Sequence, residues 1–195
     1  MKPFLLYTPT ILLLLWLGTA CRPASRYDRL VARELASGVR ADSLFLGIYL
    51  GMPSKDFYTH CWELNRQQRI MQGDGNRSVK YEPEGFKAET VMNFYPTFDS
   101  VGTILEMPVL FAYKGWSPWN KDLQAPALIS EVLRLFERWY GGTFIEIKNR
   151  EGRVIYVHVK GNRRIIVQVQ DSQYVKATFA DLSRMPSSAT SACPL

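Results

Sequence analysis

The stretch TFIEIKNREGRVIYVHVKGNRRIIVQVQDSQYVKATFADL, Thr143 to Leu182, holds four runs in which apolar and polar side chains alternate. A period of two is the mark of strands with one buried face. The runs TFIEIK, VIYVHVK, RIIVQVQ and YVKATFADL are joined by short turns, which predicts a four-stranded antiparallel meander. Paired residues must share a side of the sheet. Setting Ile147 opposite Ile155, Val159 opposite Ile165 and Val169 opposite Val175 gathers Ile145, Val157, Val167, Ala177 and Phe179 onto one apolar face. The turns left over are three residues long, Gly161-Asn162-Arg163 and Asp171-Ser172-Gln173. The other face then carries Glu146, Tyr156, Gln168 and Lys176 in one row, and Lys148, Val154, Gln170 and Tyr174 in the next.

Upstream, Pro126 to Tyr140 has the 3.6-residue period of a helix. Its expected buried stripe is Leu128, Val132, Leu135, Phe136 and Trp139, and Gly141-Gly142 stops it. That helix would cover the meander's apolar face. A similar order occurs earlier. Pro53 to Gln68 reads as a helix with Phe57, Cys61 and Leu64 inward, and GDGN ends it. SVKYEP, AETVMNFYPTF and TILEMPVLFAY then read as strands, and SLFLGIYLG, Ser43 to Gly51, as a β-rich run. The expected fold is α+β: an antiparallel sheet with two main helices on it. It would be built from modules at about 43–114 and 122–182, with a short helix or tether over 22–42 and a disordered tail over 183–195.

The chain has 195 residues, 47% hydrophobic and 13% aromatic, which suits a filled core and argues against disorder. Net charge is +6, which favours anionic neighbours, but no long Lys/Arg run points to nucleic acid.

At the amino terminus Lys2 precedes an apolar run from Phe4 to Leu17, too short for the ~20 residues of a spanning helix. Gly18-Thr19-Ala20 then puts small residues before Cys21, the layout of a signal peptide over 1–20. Secretion with cleavage after Ala20, an uncleaved anchor, and lipidation compete for this segment. Leu17, Gly18, Thr19, Ala20 and Cys21 resemble the lipobox of bacterial lipoproteins. The resemblance implies acylation of Cys21, which becomes the first mature residue, and two acyl chains suffice for stable anchoring. No Asp follows Cys21, which fits the periplasmic face of an outer membrane.

LGIYLGMPSKDF, Leu46 to Phe57, resembles the Gly-Met-Thr/Ser helix start of small envelope lipoproteins of the SmpA/OmlA type, with Pro53 where their capping residue would stand. Over most of its length the chain resembles bacterial lipoproteins of unassigned activity that carry a GM…FY.HCWELN segment. Neither likeness carries over functional residues.

No spacing of catalytic or metal-binding type is present. His60 and Cys61 are helix neighbours and point about 100° apart. His158 lies in an apolar row. Cys61 reads as a small core hydrophobe rather than a disulfide partner of Cys193. No catalytic residue, metal site or cofactor is expected. The candidate binding surface is Trp116 and Trp119 of the GWSPWN loop with Tyr156, Gln168, Tyr174 and Lys176 of the meander. The expected function is a membrane-anchored, non-catalytic binding or scaffold protein of the bacterial cell envelope. Its partners would be the bilayer, through Cys21, and an envelope protein, peptide or glycan, with no nucleic acid. The alternatives are an extracytoplasmic hydrolase with an unidentified carboxylate site, and a small-ligand sensor or inhibitor domain.

Overall fold

In the computed structural model Lys160 pairs with Arg163, so the turn between them has two residues, Gly161 and Asn162, rather than three. Gly161 takes φ 55° and Asn162 stays at negative φ, as in hairpin turns that place glycine first. The structure describes residues 25–186 except 74, 76 and 150. The expectations for the 1–20 signal, for Cys21 and for the tail beyond residue 186 lie outside the described residues.

The described elements are helices α1 (Arg26–Ala36), α2 (Ser54–Arg66) and α3 (Ala125–Tyr140), and nine strands. The strands are β1 (Met71–Gln72), β2 (Val79–Tyr81), β3 (Thr90–Phe94), β4 (Thr97–Phe98), β5 (Ile104–Tyr113), β6 (Ile145–Lys148), β7 (Val154–Lys160), β8 (Arg163–Val169) and β9 (Val175–Asp181). All pair antiparallel in one sheet of order β1-β2-β3-β5-β9-β8-β7-β6, with β4 also on β5. The chain is therefore an α+β fold. The two expected modules share one sheet. Each is a helix followed by a meander, and the last long strand of each meets the other at the centre, β5 against β9.

The expected pairings of β6 with β7 and of β8 with β9 hold: Ile147 faces Ile155, and Val169 faces Val175. Between β7 and β8 the expected register is wrong by one residue. Val159 lies opposite Arg164, Val157 opposite Ile166, and Tyr156 opposite Val167. A one-residue slip turns a strand over, so there is no single apolar face.

The front face holds Ile165, Val167, Val175, Ala177 and Phe179 with Met107, Val109 and Phe111, packed under α3 and continuous with Phe57 of α2. The back face holds Ile155, Val157, Val159 and Ile166, packed on Tyr27 and Val31 of α1. Each such side chain, fully buried, contributes roughly 1.5–3 kcal/mol. The 22–42 segment thus contains a docked helix. Its capping box pairs Ser25 with Asp28, and the hydroxyl of buried Tyr27 accepts from Arg164 at 2.9 Å. Met185, expected in the disordered tail, also packs on this second core.

Ser43 to Gly51 is not a strand. It folds back on itself: Leu44 N–H donates to the Ile48 carbonyl and Ile48 N–H to that of Phe45, both at 2.9 Å. Leu46 at φ 54° and Gly47 at φ 81° reverse the chain. Leu44, Phe45, Ile48 and Leu50 are all buried, so this loop straps the front core. Trp139, expected in the stripe of α3, is 37% exposed at the helix end.

The Gly161-Asn162 turn is held from outside the hairpin. Asn162 Oδ1 accepts from Ala41 N–H at 2.8 Å, its Nδ2 donates to Asp42 at 2.7 Å, and Gly161 N–H donates to Glu34 at 3.1 Å. A Cβ on Gly161 would strike the Val39 carbonyl, whereas Gly38, also at positive φ, has open space around it. Gly38→Ala is expected to destabilise by about 1 kcal/mol and Gly161→Ala by about 3 kcal/mol. Chemical denaturation of the two variants measures the difference.

Candidate functional site

Helix α1 covers the back face only over β6, β7 and the start of β8. From the end of β8 to β2 that face has no helix on it, and along the middle of β3, β5 and β9 its side chains are half-exposed while their front-face neighbours are buried. The registers align one row across five strands. Gln168 faces Lys176, Lys176 faces Leu110, Leu110 faces Asn93, and Asn93 faces Lys80. The row crosses the β5–β9 seam, so both modules contribute to one surface.

A groove of about 400 Å³ lies along this row, lined by Asn93, Tyr95, Pro108, Leu110, Tyr174 and Lys176 among others. Pro108 sits where β3 has ended at Phe94 and β4 has not begun at Thr97, so one edge of β5 is locally unpaired there. The Asn93 Oδ1 is buried and makes no hydrogen bond among the described residues. The Tyr95 hydroxyl meets that of Tyr58 at 2.7 Å, and this bond holds the Tyr95 phenol above its ordinary pKa. At the β8–β9 turn the Asp171 carboxylate accepts the N–H of both Gln173 and Tyr174 at 2.8 Å, which fixes the approach to Tyr174. Amide donors and acceptors, lysines and tyrosine rings beside an apolar floor suit a peptide or glycan better than a small apolar ligand.

The structure brings together Gln168, Tyr174 and Lys176 of the expected surface. Trp116 lies at the same end of the sheet, its indole N–H donating to the Ser172 carbonyl at 3.1 Å. Trp119 is 85% exposed on its loop. Tyr156 is on the opposite face, half-buried against the front core, because β7 is turned over. Asn93, Pro108, Leu110 and Lys80 were not expected in the surface. Their alternation is visible in the sequence, but only the long-range β5–β9 pairing brings them beside the meander.

Other polar groups are built into the fold. His60 Nε2 donates to the Leu46 carbonyl at 2.6 Å and pins the strap. The Cys61 thiol is free, and burial pushes it up to about 11. Glu131, 8% exposed on α3, accepts from the Lys87 N–H and the Tyr113 hydroxyl, both at 2.9 Å. Burial and that bond raise the Tyr113 pKa. His158 stacks near Phe144 and is held below its ordinary pKa, first by burial and then by Arg163 and Lys160. Among the described residues no three His, Cys, Asp or Glu side chains are grouped to hold a metal, and no helix is long and apolar enough to cross a membrane.

Two measurements check these assignments. In the unfolded chain His158 titrates near its usual 6.5, and in the folded chain lower. The unfolded state therefore binds more protons below about pH 7, and stability falls as pH drops through that window. His158→Gln, with His60 retained, is expected to flatten the denaturation midpoint between pH 7.5 and 5.5. In a Cys21→Ser, Cys193→Ser background, thiol labelling of native Cys61 at pH 8 is expected to run about two orders of magnitude slower than in denaturant. Searches of family models, curated proteins and solved structures find no match to this chain.

Proposed function

We propose that this chain is a membrane-anchored, non-catalytic binding or scaffold protein of the bacterial cell envelope. It is tethered through acylated Cys21 on the periplasmic side of an outer membrane. The observation that carries the binding role is the row from Gln168 to Lys80, a surface assembled across both modules and left open by all three described helices. The partner class it suits is an envelope protein segment, a peptide or a glycan.

The position of α1 sets the length of the proposed tether. Cys21 stands four residues before the Ser25 cap, a reach of at most about 14 Å. A domain on so short a leash works within a molecular diameter of the bilayer.

Two tests apply. Cys21→Ser is expected to move the protein from the membrane fraction to the soluble one and to remove the acyl mass. An unchanged mass and location would refute the anchor. Tyr174→Ala with Lys176→Glu is expected to weaken capture of an envelope partner about tenfold, roughly 1.4 kcal/mol. The unfolding free energy should hold within about 0.5 kcal/mol. Equal capture by this variant and the parent would remove the back face from the function.

A further inference from the structure

A second concave site lies on the front, where the strap, the end of α3 and the β7–β8 turn meet. Its volume is about 580 Å³, within the range of ligand pockets. Arg40, Arg69, Lys160 and Arg163 line it, and no carboxylate does. Trp139 and Tyr140 form an aromatic wall.

Arg163 is the centre of the cleft. It is 4% exposed. Its guanidinium carbon stands 4.2 Å from the centre of the Tyr140 ring, and Nη1 donates to the Ser43 carbonyl. Its Nε is buried and has no hydrogen-bond partner among the described residues. Desolvation lowers its pKa, yet an arginine remains charged at any physiological pH. A buried cation with an unused donor is costly unless an anion completes it.

Neither nearby carboxylate forms an ion pair with Arg163, although Asp42 acts on its charge and Asp181 faces it across β8–β9. Asp42 accepts from Arg40 Nε and Nη2 at 3.2 and 2.9 Å and also from Asn162. Asp181 accepts from Ser183, and its free oxygen lies 3.7 Å from Arg40. Asp42 and Asp181 thus serve Arg40 first. The side chains of Arg69 and Lys160 make no ion pair among the described residues.

The cleft is also pre-formed. The Tyr140 hydroxyl donates to the Leu44 carbonyl at 2.9 Å, and His60 holds the Leu46 carbonyl, so the strap is fixed from two helices. Little ordering remains to be done when a ligand enters.

We propose that this cleft binds a phosphoryl group carried on a ring-bearing or apolar body. Arg163, Lys160 and Arg69 take the phosphoryl oxygens, and the body lies on Trp139. Three cations, none of them in a salt bridge among the described residues, match a doubly charged phosphate ester better than a single carboxylate, and guanidinium forks suit its oxygens. The source is either a soluble phosphate ester or a phospholipid headgroup. This site is separate from the back-face surface, and its test does not depend on that reading.

The experiment uses the chain carrying Cys21→Ser and follows binding of phenyl phosphate, inorganic phosphate and benzoate by titration calorimetry. Phenyl phosphate is expected to bind at least tenfold more tightly than benzoate. Arg69→Gln with Lys160→Gln, both exposed positions, is expected to weaken it at least tenfold with the unfolding midpoint unchanged. Trp139→Ala is expected to weaken phenyl phosphate about fivefold while leaving inorganic phosphate within twofold. Binding to phosphatidic acid vesicles that phenyl phosphate displaces would assign the headgroup as the source. Phenyl phosphate binding without such displacement would assign a soluble ester. No phenyl phosphate binding at millimolar concentration, equal binding of benzoate, or full affinity in the double variant would each overturn the proposal.

Discussion

The structure depends on a two-residue turn. With Gly161 and Asn162 alone between Lys160 and Arg163, β7 presents Ile155, Val157 and Val159 to the back of the sheet. One more residue in the turn would move that set to the front, where α3 already fills the space. The back would then have nothing to hold α1. The turn residues are themselves the attachment points for Glu34, Val39, Ala41 and Asp42. The same turn puts Arg163 inside a strand, and so beneath Tyr140, rather than in a loop.

Two layers follow, and each leaves a different opening. On the front, two helices and a strap close over the core and meet around a cationic cleft. On the back, one short helix covers less than half of the sheet, and the remainder is a polar and aromatic strip. Long-range pairing is responsible for both. The strip needs β5 beside β9, and the cleft needs residues 39–46 beside residues 160–163.

Much of this was legible in the sequence where one interpretation of a pattern was physically possible. Strand β9 alternates cleanly, and Asp171 makes a local turn, so the β8–β9 register could be read. Strand β8 could not fix its other neighbour, because Ile165, Ile166 and Val167 are apolar on both parities. The choice rested on turn length. A single buried face suffices only if residues 22–42, a short helix or tether by sequence, cover nothing, but α1 covers the back. SLFLGIYLG has strand composition, but its buried residues keep no single alternation, because Leu44 and Phe45 are adjacent and both buried before the reversal at Leu46-Gly47. Gln168, Tyr174 and Lys176 were found as a surface by alternation. Arg163 reads as a turn residue in the sequence, and arginine in a turn is ordinarily solvated. Its burial comes from Tyr140 and the strap, far away in the chain.

The central pairing also bears on how the chain assembles. Strand β5 lies between β3 and β9, so it has its first neighbour early and its second only when the last strand has been made. About sixty residues separate the end of β5 from the start of β9. Until β9 arrives, the first half presents an unpaired edge through the middle of its sheet, flanked by Met107, Val109 and Phe111. Edges of this kind recruit other strands. A chain of this design therefore spends its most vulnerable interval with its first module made and its second still emerging. Holding factors that shield a strand edge would act on that half-made sheet.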